Sequence, residues 1–440
     1  MGLVKNASIT TGTQIVGIVL SLAASIVLAR GLGPLGLGQY VIIIFIVGLS
    51  SNLLSLGIEN ANVYFRGKKT YSVSQLFGNS LLWTAGLSLI FFVLAALVMR
   101  WQVALDFFAL KAINLQLIWL AVAAMPLLLL LRYNTNILLG EEKIWQYNWV
   151  TLAQTIAQMV ILVIFWVVSG LSLTAAIWSY VLSMLVPVIL GIIFLNQTEK
   201  LRPTVSREIF KNSWRYGIVA HIASISQFLN YRLDTFILAI FSSPVAVGFY
   251  NIAVGMAERL WIVSSAPTTL MFPKAAAGVE AETVNLTARL GRQVIILSVI
   301  GGLVMAALAY PVIVIFYGRE FLPALGPLVV LLPGIVLLGF GRVVGAHLFG
   351  SGKPHYGAKI SLIALALTVI LDLALIPWIG IMGAAIASTI AYGVHGLLMT
   401  RAFVKEHPEV GFGDLLLPRK ADFMIYGMYW RRYILKRADK

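Results

Sequence analysis

Apolar stretches of about 20 residues recur from one end of the chain to the other. Hydrophobic residues make up 60% of the 440 residues and charged residues only 11%, whereas soluble domains carry about 25% charged residues. Each stretch is long enough to cross a bilayer core of ~30 Å as a helix. Helices satisfy their own backbone hydrogen bonds in lipid, so the sequence predicts an all-α, polytopic membrane protein.

Twelve transmembrane helices are predicted from these stretches. They cover 8–30, 36–57, 78–100, 113–138, 147–168, 173–195, 213–240, 244–272, 291–317, 322–349, 357–378 and 380–403. The first stretch has only Lys5 as an n-region charge and lacks a convincing small-residue cleavage site, so we expect an uncleaved helix rather than a signal peptide.

The net charge of +15 is distributed asymmetrically. When the N-terminus and the ends of the even-numbered helices are placed on one face, most Lys and Arg residues fall there. The other face receives only Arg30, Arg100, Lys111 and Arg319. This bias predicts a cytoplasmic (inner) membrane protein with both termini in the cytoplasm. It explains the positive charge without nucleic acid.

The C-terminal segment 406–440 ends in MIYGMYWRRYILKRADK, where aromatic and basic residues alternate. Such a segment is expected to lie on anionic membrane lipids as an amphipathic cytoplasmic tail. The chain has no cysteine, and its five histidines are not spaced as zinc ligands. These counts exclude a thiolate metal site, a cysteine nucleophile and a zinc motif, and we expect no catalytic site, metal site or cofactor.

An internal repeat divides the chain. VLARGLGPLGLGQY (27–40) matches ILAIFSSPVAVGFY (237–250) at an offset of 210 residues, and the same offset relates Gly140 to Gly350 and Gly170 to Gly380. We therefore predict two parallel six-helix lobes, residues 1–200 and 201–405, joined by a polar linker. An even number of helices gives both lobes the same orientation in the membrane.

The repeat also helps to explain the motif GLGPLG (31–36), which has the glycine spacing of a dinucleotide-binding loop. Its counterpart FSSPVA keeps the proline but not the glycines, and no βαβ unit surrounds it. The motif therefore predicts a tight turn between the first two helices.

Ionisable residues inside the predicted spans are candidate functional groups, because a charge at a helix centre costs ~2.5–3.5 kcal/mol. Interhelical ion pairs would explain them, as would an aqueous cavity whose arginines bind an anion such as a diphosphate. Arg232 and Asp234 are about 200° apart around a helix and are not expected to pair directly. Gln154 and Gln158 share a helix face and suit a sugar-contacting cavity or a helix contact.

The twelve spans, the LARGLGPLGLGQY hairpin and GIENANVYF–R (57–66) together resemble polysaccharide biosynthesis proteins of the Wzx-like O-antigen flippase family. That family belongs to the multidrug/oligosaccharidyl-lipid/polysaccharide (MOP) exporter superfamily. The resemblance implies a MATE-like two-lobe transporter, and not an enzyme. It would flip a polyprenyl-diphosphate-linked oligosaccharide by alternating access, with membrane lipids, a polysaccharide polymerase and a chain-length regulator as partners.

Site residues follow from placement and from diphosphate chemistry. The candidate substrate contacts are Arg30, Arg66, Arg132, Arg232, Arg342, Gln154 and Gln158. Three carboxylates, Asp234, Glu258 and Asp372, are candidates for ion pairs or for coupling to Na⁺ or H⁺.

Two other functions remain open at this point. A cation-coupled multidrug antiporter of the same superfamily is the nearest alternative, although residues 1–58 contain no Asp or Glu for proton coupling in the first helix. A membrane polymerase or ligase would need a catalytic outer loop. The longest predicted outer loop, around 101–112, carries only Asp106.

Overall fold

The computed structural model describes residues 2–101, 113–277, 280–417 and 419. Within these residues all regular structure is helical, which confirms the predicted fold class. Most of the tail, and Lys111 and Asp106 of the predicted outer loop, lie outside the described residues.

The helices of the first half follow the predicted spans with local breaks. They are α1 (Gly2–Leu54), α2 (Ile58–Gly67), α3 (Val73–Arg100), α4 (Leu115–Val122), α5 (Met125–Gly140), α6 (Ile144–Ser169), α7 (Leu173–Ser183) and α8 (Leu185–Thr198). Prolines lie in the first turn after two of the breaks: Pro126 is the second residue of α5 and Pro187 is the third residue of α8, where a missing N–H is tolerated.

The second half consists of α9 (Arg207–Phe241), α10 (Pro244–Ala257), α11 (Ile262–Ala277), α12 (Glu280–Val312), α13 (Leu325–Gly350), α14 (Pro354–Glu406) and α15 (Phe412–Leu416). A 3₁₀ turn, Glu258–Trp261, joins α10 to α11. A π-helical turn, Ile313–Tyr317, and a 3₁₀ turn, Arg319–Ala324, lie between α12 and α13.

Eight helical segments of the described residues are long and apolar enough to cross a membrane, rather than the twelve predicted. Two of the eight, Gly12–Leu54 and Pro354–Glu406, each contain two predicted helices that meet without a loop. The segments 207–241 and 244–277 are not among the eight; the first carries many polar residues and the second is divided by the 3₁₀ turn.

The GLGPLG motif lies where the first two predicted helices meet. Gly33 is the only residue of α1 with non-helical backbone angles (φ 65°, ψ 179°), and Pro34 follows it. The motif therefore produces a sharp change of direction without a loop, and no strand precedes it, as a nucleotide site would require. The second joined pair is interrupted in the same way at Gly380 (φ 55°).

Contacts divide the chain into two compact units. Unit 1 is Met1–Ile252 with Ile313–Leu322, and unit 2 is Ala253–Val312 with Pro323–Lys440. In unit 1, α6 packs along α1, and α5 packs against α2, α3 and α8. In unit 2, α13 packs against α11, α12 and α14. The predicted lobe boundaries at residues 200 and 405 stay a prediction.

The offset of 210 residues has a structural counterpart inside unit 1. A Cβ added to Gly38 would lie 1.6 Å from the Pro244 carbonyl oxygen, and one added to Gly248 would lie 2.5 Å from the Pro34 carbonyl oxygen. These four residues form two pairs related by the offset, so repeat-equivalent turns pack on each other reciprocally. Only glycine permits an approach this close at Gly38.

The linker that follows α8 is attached to the start of α3. Glu199 accepts hydrogen bonds from the backbone N–H groups of Val73 (3.0 Å) and Ser74 (3.3 Å), and the Arg202 N–H donates to the Ser74 hydroxyl (3.1 Å). Burial acts to raise the pKa of Glu199, but the hydrogen bonds from Ser74 and Val73 outweigh it and hold this pKa below its ordinary value. The carboxylate thus stabilises the N-terminus of α3.

The described part of the C-terminal segment is attached to unit 2 through α15. Leu415 is fully buried in a cluster with Phe340 and Phe403, and Arg292 donates a hydrogen bond to the Asp414 carbonyl oxygen. Hydrogen bonds from the Gly411 N–H and from Arg419 lower the pKa of Asp414. These contacts therefore hold the described part of the C-terminal segment on the rest of unit 2.

Candidate functional site

A helix break near the end of α1 organises the polar residues of unit 1. Leu56 (φ 50°) and Gly57 (φ 69°) both have left-handed backbone angles, and they separate α1 from α2. The break packs on α9: a Cβ at Gly57 would lie 2.2 Å from the Gly217 carbonyl oxygen. The His221 Nε2 lies 3.0 Å from the Leu53 carbonyl oxygen, which the break has freed from its helical partner.

Arg132 reaches this break from α5. Its Nη1 donates to Asn52 Oδ1 (3.0 Å) and forms an ion pair with Glu59 Oε1 (3.3 Å). Ser55 donates to the same Glu59 oxygen (3.0 Å), and the Tyr133 hydroxyl donates to the Ser55 carbonyl (3.2 Å). Glu59 is only 7% exposed, and the ion pair with Arg132 compensates its buried charge.

Gln158 and Gln154 lie on α6, and each contacts another helix. Gln158 Nε2 donates to the Tyr40 hydroxyl (3.0 Å), and Gln154 Nε2 lies 3.5 Å from Met184 Sδ. Both glutamines are partly buried. These contacts fit the helix–helix hydrogen-bond interpretation in the described structure, and a sugar contact stays a prediction.

Of the three candidate carboxylates, Asp234 lies in unit 1, and it is only 2% exposed. Its Oδ2 accepts a hydrogen bond from the Tyr250 hydroxyl (2.6 Å), and its Oδ1 accepts one from the Thr235 N–H (2.6 Å). Arg232, two residues earlier, is partly buried, and its Nη1 lies 3.4 Å from the Tyr231 carbonyl oxygen. Asp234 is therefore held by groups of α9 and α10.

Two candidate arginines lie next to helix interruptions, Arg30 just before the break at Gly33 and Arg66 in the last turn of α2, and both bind protein groups there. The exposed Arg30 donates to the carbonyl oxygens of Phe316 (2.9 Å) and Ile315 (2.6 Å) in the π-helical turn. Arg66 forms an ion pair with Glu141 and donates to the Tyr71 carbonyl oxygen (3.0 Å). Both guanidinium groups complete local structure, and their role as substrate contacts stays a prediction.

Unit 2 contains the remaining candidates. Arg342 lies over the ring of Trp261, with its guanidinium carbon 5.4 Å from the ring centroid. Arg259 donates to the Gly255 carbonyl oxygen (2.5 Å) beside the partly buried Glu258. Asp372 is fully buried in α14. The structure thus places an arginine on an aromatic ring and a carboxylate in the interior of the same unit.

The structure also identifies partners that the sequence analysis did not single out. Trp261 and Tyr250 were not candidates, and Asn52 was not associated with Arg132. One signal was available: the offset of 210 residues relates Arg132 to Arg342 and Tyr40 to Tyr250. Among the described residues, no group of three or more His, Cys, Asp or Glu side chains is arranged to hold a metal ion.

A family model described as polysaccharide biosynthesis protein matches residues 3–276, which is more than half of the chain. The chain belongs to the polysaccharide biosynthesis protein family. It is 28% identical over 250 residues to the probable flippase AglR of Haloferax volcanii, covering 54% of this chain and 51% of AglR. It is 25% identical over 241 residues to the probable low-salt glycan biosynthesis flippase Agl15 of the same organism, covering 52% and 49%. The chain spans about half the length of the curated relatives it matches.

Two solved structures have the same fold. The lipid II flippase MurJ, in an inward closed conformation, gives a TM-score of 0.76 at 14% identity, and the match covers 95% of this chain and 92% of the MurJ chain. An inward-facing multidrug resistance MATE family transporter of the MOP superfamily gives 0.67 at 15% identity, covering 91% and 98%. The predicted MOP-type helical fold is confirmed. The curated relatives named here are described as probable flippases, and the two solved structures are described as a flippase and a transporter.

Proposed function

We propose that the protein is a flippase that moves a polyprenyl-diphosphate-linked oligosaccharide, such as an O-antigen or another surface glycan unit, across the cytoplasmic membrane. The family match over residues 3–276 carries the proposal, and the relatives named as flippases support it. Both termini would be cytoplasmic, and the glycan head would pass through the protein while the lipid tail stays in the bilayer.

The chemistry of the spans is compatible with an anionic head group. Arg132 and Arg342 place guanidinium groups within membrane-spanning helices, where an unneeded charge is costly. A diphosphate offers several acceptor oxygens, and guanidinium is the protein group that binds such oxygens in pairs. A fully apolar interior would instead reject this head group.

Coupling to a cation is part of the proposal. The partly buried Glu258 and the buried Asp234 and Asp372 are candidate sites for Na⁺ or H⁺, because movement of a charge with the substrate would give transport a direction. A polysaccharide polymerase and a chain-length regulator would receive the flipped unit on the outer face.

The alternative is a cation-coupled multidrug antiporter. The similarity to a MATE transporter concerns the fold, at 15% identity, whereas the family match concerns polysaccharide biosynthesis. The observations therefore favour the flippase.

Deletion of the gene in its native organism separates the two functions. A flippase deletion should cause lipid-linked oligosaccharide to accumulate while surface polysaccharide falls, and the wild-type gene should restore both. Arg342→Gln should restore them poorly, whereas Arg100→Gln, at the exposed end of α3, should restore them fully. Normal surface polysaccharide together with increased drug sensitivity would favour the antiporter instead.

A further inference from the structure

Two arginines occupy equivalent positions in the two units. Arg132 in α5 and Arg342 in α13 are related by the repeat offset, and each lies eight residues before a closely packed glycine. A Cβ at Gly140 would lie 2.9 Å from the Val63 carbonyl oxygen, and one at Gly350 would lie 2.4 Å from the Phe272 carbonyl oxygen. The helices thus present their arginines at the same level relative to equivalent packing contacts.

The partners of the two arginines differ in kind. Arg132 forms an ion pair with Glu59 at 3.3 Å, whereas the position equivalent to Glu59 in unit 2 is Thr269, which has no charge. Arg342 lies over the Trp261 ring and forms no ion pair with any other described residue. The repeat therefore has one neutralised arginine, in unit 1, and one arginine on an aromatic face, in unit 2.

This difference decides which arginine can bind an anion. A carboxylate partner uses both the charge and the N–H donors of a guanidinium, whereas an aromatic ring uses only its flat face. Arg342 therefore keeps donors along its edge and a positive charge, and Trp261 holds it in place. An anion approaching Arg132 would have to compete with Glu59.

Aromatic rings lie next to the guanidinium of Arg342. Trp261 is partly buried, and the buried ring of Tyr392 in α14 meets it edge-on, with ring centroids 6.4 Å apart and planes at 63°. The indole of Trp261 offers a flat apolar surface together with a polar group, and the contact with Tyr392 fixes its position. Such surfaces suit the C–H face of a sugar ring, so this cluster combines a phosphate-binding group with a sugar-binding one.

We propose that Arg342 and Trp261, with Trp261 positioned by the buried ring of Tyr392, form the recognition site for the sugar 1-phosphate end of the substrate. Arg342 binds the phosphate attached to the first sugar, and the indole of Trp261 packs against the ring of that sugar. This inference rests on the proposed flippase function. It specifies which part of the substrate unit 2 binds.

The test measures binding to the purified full-length protein in lipid nanodiscs with two probes. One probe is polyprenyl diphosphate, and the other is polyprenyl-diphosphate-linked N-acetylglucosamine. The variants are Arg342→Gln, Trp261→Leu and Trp261→Phe. Trp378→Leu is the matched control, because Trp378 is 87% exposed. Thermal unfolding of each variant identifies changes caused by misfolding.

The wild-type protein should bind the sugar-bearing probe about tenfold more tightly than the sugar-free one, which corresponds to ~1.4 kcal/mol. Trp261→Leu should remove most of this preference while the sugar-free probe still binds, and Trp261→Phe should keep much of it. Arg342→Gln should weaken both probes about tenfold. Trp378→Leu should match the wild type.

Two results would overturn the inference. If Trp261→Leu leaves the preference intact, the indole does not read the sugar; if Arg342→Gln binds both probes as the wild type does, the guanidinium does not bind the phosphate. In either case wild-type transport of lipid-linked glycan would leave the proposed function standing. If the wild-type protein neither binds nor transports either probe, the proposed function fails and this inference fails with it.

Discussion

The reciprocal packing of repeat-equivalent turns gives a sharp prediction for stability. Gly38→Ala introduces a methyl group where the Pro244 carbonyl oxygen lies only 1.6 Å away. Gly248→Ala introduces the equivalent methyl group 2.5 Å from the Pro34 carbonyl oxygen. Because both obstacles are backbone atoms, neither can be relieved by rotating a side chain.

The magnitudes follow from these distances. Ordinary contact begins at 3.4 Å, so the helices would have to separate by about 1.8 Å at Gly38 and about 0.9 Å at Gly248. Forced packing of this kind costs ~1–3 kcal/mol, and more where backbone must move. The gain in helix propensity from Gly to Ala offsets up to ~1 kcal/mol. We expect a net loss of ~1–2 kcal/mol for Gly38→Ala and a value near zero for Gly248→Ala.

Thermal unfolding in detergent, followed by tryptophan fluorescence, measures these changes. Gly48→Ala is the matched control on the same helix, because a Cβ there meets nothing within 4 Å. The expected order of midpoints is Gly48→Ala highest, then wild type and Gly248→Ala, with Gly38→Ala lowest. A Gly38→Ala midpoint equal to that of Gly48→Ala would refute the close packing of the two turns.

Three further predictions concern polar groups. Glu59→Gln leaves Arg132 without a compensating charge and should destabilise the protein by ~1–3 kcal/mol. The double variant Arg132→Gln/Glu59→Gln should lose less stability than the sum of the two single variants. Denaturation midpoints measure all three variants, and strict additivity would contradict the ion pair. Tyr250→Phe removes the hydroxyl that donates to Asp234 and should lower the free energy of unfolding by ~1–3 kcal/mol. A denaturation midpoint equal to that of the wild type would contradict this hydrogen bond. Glu199 has a pKa lowered from its ordinary value of 4.5, so its contribution to stability should be present above pH 4.5 and disappear as the pH falls through the lowered value. Glu199→Gln should therefore be less stable than the wild type at pH 6, and the difference should shrink towards pH 3; a difference independent of pH would exclude the carboxylate as its source.

Much of the fold could be predicted from hydrophobicity alone, because lipid leaves the backbone few alternatives to a helix. The breaks at Gly33 and Gly380 fall where two predicted helices meet. The count of twelve is not confirmed, for a physical reason: composition does not distinguish a hairpin from a kinked continuous helix. The short helix Ile58–Gly67 was missed because it carries charge and is too short to span a bilayer.

The candidate site could be predicted only in part. Placement within apolar spans identified Arg132 and Arg342 as unusual, and the chemistry of arginine indicated an anion. Their partners could not be predicted, because Glu59 is 73 residues from Arg132 in sequence, and Trp261 is still farther from Arg342. Such contacts depend on how helices pack, which a periodic apolar pattern leaves undetermined.

Translocation by the purified protein tests the central claim most directly. Proteoliposomes would carry a fluorescent polyprenyl-diphosphate-linked oligosaccharide whose label is quenched by a reagent that cannot cross the membrane. If the protein is a flippase, the wild type should move inner-leaflet label to the quenchable outer leaflet much faster than protein-free vesicles do, and Arg342→Gln should slow this movement. Exchange at the protein-free rate, in vesicles that contain folded wild-type protein and an imposed Na⁺ or H⁺ gradient, would contradict the account.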